Sequence, residues 1–253
     1  MGRRGRRGSQ PFDVVVGPNS VRAALAAGRR GVTSVLVDAG AGGPAVDEVR
    51  ALARREGVAV ANVMGRELAQ LAGGDFHQGV AAYAEKAPPP AWDDLVAACA
   101  AGRPLVVLDH VEDPRNLGAV IRSAAAFGGA GVLIPERRQA AVTPAVSKAA
   151  EGGLEYVPVV TVGNVAQAVR RLKGAEIWCY ALEADGDALV GNYEFARAAA
   201  LVMGGEGSGL TVTVRKECDA VVAIPLAAGI TSLNVAAATA VALFEFRRQH
   251  AVM

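Results

Sequence analysis

The chain has little with which to staple, metallate or anchor itself. Its three cysteines, Cys99, Cys179 and Cys218, are odd in number and far apart, with no Cys-x-x-Cys pair. Neither a disulfide framework nor a thiol redox motif is expected, and a reducing cytoplasm is the natural setting. The three histidines, His77, His110 and His250, form no His-Glu-x-x-His helix and no Cys/His cluster, so no metal is expected. No apolar run reaches the roughly 18 residues of a membrane span, and no apolar core follows the arginines at the N-terminus. Nucleotide fingerprints are missing too. The glycine run Gly204–Gly209 fits no Gly-x-Gly-x-x-Gly register, because Leu210 and Val212 stand where the third glycine would fall. There is no Gly-x-x-x-x-Gly-Lys-[Ser/Thr] loop and no Gly-x-Ser-x-Gly elbow. Dehydrogenase, nucleotide triphosphatase and common hydrolase chemistries all lose their signatures.

Aromatic residues make up only 5% of the chain, whereas alanine supplies about a fifth of it. Small side chains let elements approach closely at the cost of large hydrophobic anchors. Hydrophobic residues at 52% and charged residues at 20% are the balance of a globular protein. A length of 253 residues suits one large domain or two small ones. The net charge of +1 hides an asymmetry: residues 1–30 carry +6 and the rest −5. Arg3, Arg4, Arg6, Arg7 and Arg22 lie in that basic arm. Such an arm can grip phosphates through counterion release, or it can be a solvated tail without a partner.

Three consecutive prolines, Pro88–Pro90, cannot continue a helix or a central strand, and they mark the clearest boundary. The expected organisation is a basic disordered tail over 1–11, a small α/β unit over 12–85, a linker and domain approach over 86–103, and a second domain over 104–253. In the first unit, strands are expected at Val14–Gly17, Val35–Val37, Val58–Val63 and Gln78–Tyr83, with helices at Ser20–Ala27 and Asp47–Glu56. In the second, the fully apolar Leu105–Leu108 reads as a central parallel strand. Further strands are expected at Gly131–Ile134, Tyr156–Val160, Ile177–Leu182, Ala200–Met203 and Val221–Ile224. Helices are expected at Leu117–Phe127, Pro144–Ala150, Asn164–Lys173 and Ser232–Gln249, the last capped by Ser232. Strands alternating with helices predict an α/β parallel sheet covered on both faces. In such sheets ligands bind beyond the carboxyl ends of the strands.

Three post-strand segments stand out there. The first runs Asp109-His110-Val111-Glu112-Asp113-Pro114-Arg115-Asn116-Leu117-Gly118-Ala119-Val120-Ile121-Arg122-Ser123-Ala124. Arg122 lies in a helix of small apolar residues, where a guanidinium either reaches a partner or snorkels to solvent. The second is Gly204–Leu210, with Glu206 as its charge; the third is Ile224–Ala238, where Asn234 opens a helix of small residues. Taken singly, these read as an exposed arginine, a flexible turn and a helix cap.

Together the three segments resemble the SpoU-type ribose 2′-O-methyltransferases. The family's first motif stands as Asn116, Gly118-Ala119 and Arg122-Ser123-Ala124; its second, Gly-x-Glu-Gly-x-Gly, as Gly204–Gly209. Its third stands as Ile224-Pro225-Leu226 and Ser232-Leu233-Asn234-Val235. The N-terminal unit, with Val16–Val21 and His77-Gln78-Gly79-Val80, is similar to the ribosomal-protein-like RNA-binding domain of many members. The resemblance implies a C-terminal α/β domain with a deep trefoil knot, a homodimer, and S-adenosyl-L-methionine as cofactor, held by Gly204, Ile224 and Leu233 largely through main chain. It implies catalytic roles for Arg122, Asn116, Glu206, Ser232 and Asn234. Arg122 is expected to bind the adjacent phosphate and polarise the 2′-hydroxyl, with Glu206 holding Arg122 or another donor. The implied substrate is a guanosine of large-subunit (23S) ribosomal RNA. A transfer RNA guanosine methyltransferase, a resistance-type methyltransferase acting on ribosomal RNA adenosine, and a non-catalytic RNA-binding assembly module are the alternatives.

Overall fold

A computed structural model describes residues 12–74, 77–88, 90–205, 207 and 209–250. The chain divides into two compact units on either side of Pro88. The first contains β1 (Phe12–Val16), α1 (Pro18–Ala27), β2 (Val32–Asp38), α2 (Pro44–Arg55), β3 (Ala59–Val63), α3 (Gly65–Ala72) and β4 (Val80–Glu85). Its sheet runs β1-β4-β2-β3, antiparallel except for the β2–β3 pair. Val21, Val35, Val37, Val49 and Val80 are fully buried between the sheet and α1 and α2. On the other face, fully buried Leu68 brings in α3, a short amphipathic helix of eight residues that opens on a glycine without a side-chain cap. The turn His77-Gln78-Gly79 leads into β4: Gly79 sits at φ 79° with its open side packed on Ala41, and its N–H donates to His77 Nδ1. A side chain at that glycine has no room.

The second unit begins with α4 (Trp92–Ala100) and continues through β5 (Leu105–Asp109), α5 (Pro114–Ala126), β6 (Gly131–Pro135), α6 (Pro144–Ala150) and β7 (Val159–Val162). There follow α7 (Val165–Lys173), β8 (Trp178–Leu182), β9 (Ala188–Leu189), β10 (Ala199–Gly204), α8 (Val212–Glu217), β11 (Ala220–Ala223) and α9 (Val235–His250). Seven parallel strands lie in the order β7-β6-β5-β10-β8-β11-β9. All five residues of β5 and of β6 are buried, as the apolar runs Leu105–Leu108 and Val132–Ile134 require, with Asp109 buried at the end of β5. One face packs on α5, α6 and α9, the other on α4, α7 and α8. The scarce aromatics gather under the end of α9, where Tyr180, Tyr193, Phe195 and Phe246 meet at centroid distances of 5.0–6.3 Å.

Three expectations need correction. The stretch read as linker and domain entry, with no element assigned to it, contains α4, whose buried Leu95 and Cys99 pack against the sheet, with the Cys99 thiol donating to the Ala199 carbonyl. The prolines end just before it and do not extend the linker further. The strand expected at Tyr156–Val160 starts later, at Val159, behind Pro158, whose carbonyl accepts from Val132. Helix α9 starts at Val235 and is capped by Asn234, whose Oδ1 accepts from the Ala236 and Ala237 N–H groups at 2.9 and 3.4 Å; Ser232 is not the cap. Both residue types can cap, and the chain meets helical geometry only after Asn234.

Burial raises the cysteine thiols: Cys99 to about 11 and Cys218 to about 12, with Cys179 pushed up further. They are protonated, inert sulfurs and not nucleophiles. No helix among the described residues is long and apolar enough to cross a membrane.

Candidate active site

The carboxyl ends of β8, β10 and β11 open into a cavity of about 590 Å3. Its wall includes Gly204, Ile224, Ser232, Leu233 and Asn234 from the sequence motifs, together with Glu183 and Met203. Among the described wall residues Glu183 is the one charged group. The loop after β10 is held down from both sides. Asp109, 1% exposed at the end of β5, accepts the Gly205 N–H through its carbonyl at 2.9 Å and the Thr211 N–H through Oδ2 at 2.8 Å. The other carboxylate oxygen lies 2.8 Å from His110 Nδ1 but takes no aligned hydrogen bond. Glu183 accepts from the Leu210 N–H at 2.9 Å and pairs with Arg215 at 3.1 Å. A Cβ at Gly204 would run into the backbone of Gly209 and Leu210, and one at Gly205 into the His110 carbonyl. These crossings exist only because the loop is glycine.

Asn116 and Asn234, 118 residues apart in the chain, meet directly: Asn234 Nδ2 donates to Asn116 Oδ1 at 3.0 Å. Helix α5 starts earlier than its apolar pattern suggests, with Asp113 Oδ1 accepting from the Arg115 N–H and Pro114 in the first turn. Asn116 therefore sits within that first turn, facing the start of α9. Arg122, further along α5, points elsewhere. Its Nη1 lies 2.9 Å from Glu151 Oε1, just past α6, and it is not among the cavity-lining residues. Glu206 lies outside the described residues, as do Arg3, Arg4, Arg6 and Arg7. Arg22 pairs with Glu48 at 2.8 Å on the first unit.

Residues 103–244 match the SpoU rRNA Methylase family, and residues 14–90 match the RNA 2′-O ribose methyltransferase substrate-binding family. The chain belongs to the SpoU rRNA methylase family. A 23S rRNA (guanosine-2′-O-)-methyltransferase of Xanthomonas campestris pv. campestris is 40% identical over 238 residues, 93% of this chain and 96% of that one. An uncharacterized tRNA/rRNA methyltransferase of Mycolicibacterium vanbaalenii is 39% identical, over 94% of this chain and 76% of its own length. Among solved structures, the SpoU methyltransferase AviRb of Streptomyces viridochromogenes, in complex with the cofactor AdoMet, superposes with a TM-score of 0.74 at 27% identity. That likeness covers 98% of this chain and 94% of the other.

Of the residues that the resemblance implied for this SpoU family member, Gly204, Ile224, Ser232, Leu233 and Asn234 line the cavity, whereas Asn116 and Arg122 do not. Sequence reasoning missed Glu183 and Glu151. Glu183 follows directly on β8, so its position beyond a strand end was the available signal. Glu151 lay in a segment read only as the end of a helix.

Proposed function

We propose that this chain methylates a ribose 2′-oxygen of RNA, at a guanosine of large-subunit ribosomal RNA, with S-adenosylmethionine as donor. The cavity carries this reading. Its volume suits a small-molecule site, its wall is largely glycine backbone and apolar side chain, and its one charged described residue is an acid. That donor set fits a cationic, phosphate-free cofactor and does not fit a nucleotide phosphate. Gly204, Ile224 and Leu233 would hold the cofactor largely through main chain. When bound, it supplies a methyl group on a sulfonium, open to in-line attack.

A ribose hydroxyl is a poor nucleophile until its proton is removed or its charge development is stabilised. Asn116 and Asn234 would orient the ribose beside the cavity, with Ser232 shaping the pocket and Glu206 ordering a nearby donor. Arg122 would bind the neighbouring phosphate and polarise the 2′-hydroxyl. A guanidinium is a fixed cation and not a free-standing base, so this role is electrostatic. The unit over 12–85 and the arginine arm would grip the rest of the RNA, in the cytoplasm where ribosomal RNA is assembled.

The same reading includes a trefoil knot in the domain from 104 onward. A threaded loop needs close backbone approach, and the glycine loop after β10 allows it where Gly205 passes the His110 carbonyl. It also includes a homodimer formed through α9. Of the apolar residues that suggested this from sequence, Val235, Leu243 and Phe246 are core of the same unit, but Phe244 is 55% exposed and Val241 lies beside it on the same exposed stripe.

Labelled methyl transfer into ribosomal RNA from cells lacking the enzyme, followed by mapping of the modified nucleotide, tests the function. Label at one 2′-O-methylguanosine of the large-subunit RNA is expected. Label in transfer RNA or at an adenosine would move the protein to another substrate, and RNA binding without any label would make it a non-catalytic assembly module.

A further inference from the structure

The partner that Arg122 has in the free chain is an unusual one. Helix α6 lies tightly on α5 because Gly118 leaves no room for a side chain: a Cβ there would meet Ala149, the Val146 carbonyl and the Ala150 N–H. One turn further along the same face of α5 comes Arg122, and Gly153 packs against its backbone. Between Ala150 and Gly153, the chain places Glu151 in the left-handed region, at φ 43° and ψ 47°. That conformation favours glycine or asparagine at a helix C-terminus, and the carboxylate also opposes the partial negative charge of the helix end. Two local preferences are set aside at a residue whose carboxylate then stands 2.9 Å from the Arg122 guanidinium.

We propose that Glu151 is a stand-in for the RNA phosphate: a carboxylate that occupies Arg122 in the free protein and that the substrate must displace. The inference rests on the methyl-transfer reading for the role of Arg122. The physical argument is one of exchange. Both members of the pair are about half exposed, at 57% and 42% of their side-chain surface, so the contact is weak and open to competition. A phosphate offers the guanidinium a bidentate, charge-assisted match that outcompetes it. Glu151 thereby occupies Arg122 in the absence of RNA, and RNA that engages Arg122 gives up part of its affinity to displace it. Glu151 is thus a positioning residue that sets RNA affinity through Arg122.

The test measures RNA affinity by fluorescence anisotropy, using full-length protein, a 23S ribosomal RNA transcript and no cofactor. Glu151→Gln and Glu151→Gly are each expected to tighten binding about fivefold, the equivalent of about 1 kcal/mol for an exposed ion pair. Glycine suits the left-handed backbone, so Glu151→Gly keeps the fold and its melting temperature does not fall. In an Arg122→Ala background, Glu151→Gln should change nothing. Unchanged affinity in both single variants overturns the proposal. So does equal tightening with and without Arg122, which would mean general charge repulsion. Because binding is read without turnover, tightened binding by a protein that transfers no methyl would sink the reaction and leave the Glu151 assignment standing.

Discussion

Asn234 joins three functions in one side chain. Its oxygen caps α9, its nitrogen holds Asn116, and it lines the cavity. The cap alone is worth about 1 kcal/mol, and the bond to Asn116 ties the third motif to the first. Arg122 has no such structural duty, since its pairing with Glu151 is exposed and weak. Loss of Arg122 is therefore a clean probe of chemistry. Arg122→Ala should reduce methyl transfer at least a hundredfold, a typical cost of losing one transition-state donor, while calorimetry finds cofactor affinity within about twofold of the parent. Arg122→Lys should not restore activity, because an ammonium lacks the planar fork that serves phosphate and 2′-oxygen together. Near-normal turnover in Arg122→Ala would remove this residue from the mechanism.

Elements meet here by means of missing side chains. At the α5–α6 crossing a Cβ on Gly118 would lie 2.8 Å from the Val146 carbonyl and 3.0 Å from the Ala150 nitrogen. Backbone atoms cannot swing aside as a flexible side chain does, so α6 has to shift as a body. Gly118→Ala is expected to lower stability by about 1–3 kcal/mol, the usual cost of overpacking, despite alanine's better helix propensity. Chemical denaturation reads this directly, and a variant as stable as the parent would show that α6 can slide at no cost. Because Glu151 follows α6, the same shift should also loosen its hold on Arg122 and tighten RNA binding, as the Glu151 variants are expected to do. The β10–α8 loop is tied down differently, by the buried carboxylate of Asp109 and by Glu183, each accepting a backbone N–H from it. Its glycines permit the path; the two acids hold it.

At the scale of the whole molecule, the proposed homodimer turns on the outer face of α9. Val241 and Phe244 leave that face apolar on an element whose other side is fully packed, with Phe127 meeting the Phe244 ring edge-on at 6.3 Å. A second copy of the chain is the covering that the homodimer reading requires. Sedimentation at micromolar concentration should give twice the mass of 25.8 kDa, and Phe244→Asp should give the single mass with its fold retained. A parent protein that stays monomeric and fully active would end the dimer reading without touching the reaction.

Much of this protein was legible from residue order alone. Unbroken apolar runs such as Leu105–Leu108 mark strands buried on both faces, since no polar face has to be kept for water. The three motifs marked the cavity because its wall is built from local backbone: glycines where strands end, and a short polar turn before a helix. Helix α3 escaped because it is only eight residues long and opens on a glycine without a cap, although its pattern is amphipathic. Helix α4 escaped because its two-sided apolar pattern follows directly on the proline run. The capping exchange between Ser232 and Asn234 was undecidable for a related reason: both can cap, and the bond from Asn234 to a residue 118 positions away favours one. Arg122 shows the division most plainly. Its need for a partner follows from a charged group set among small apolar neighbours, whereas the partner's identity depends on how closely two helices approach. That distance is set by Gly118 against Ala149, and Glu151 reaches the guanidinium only because of it.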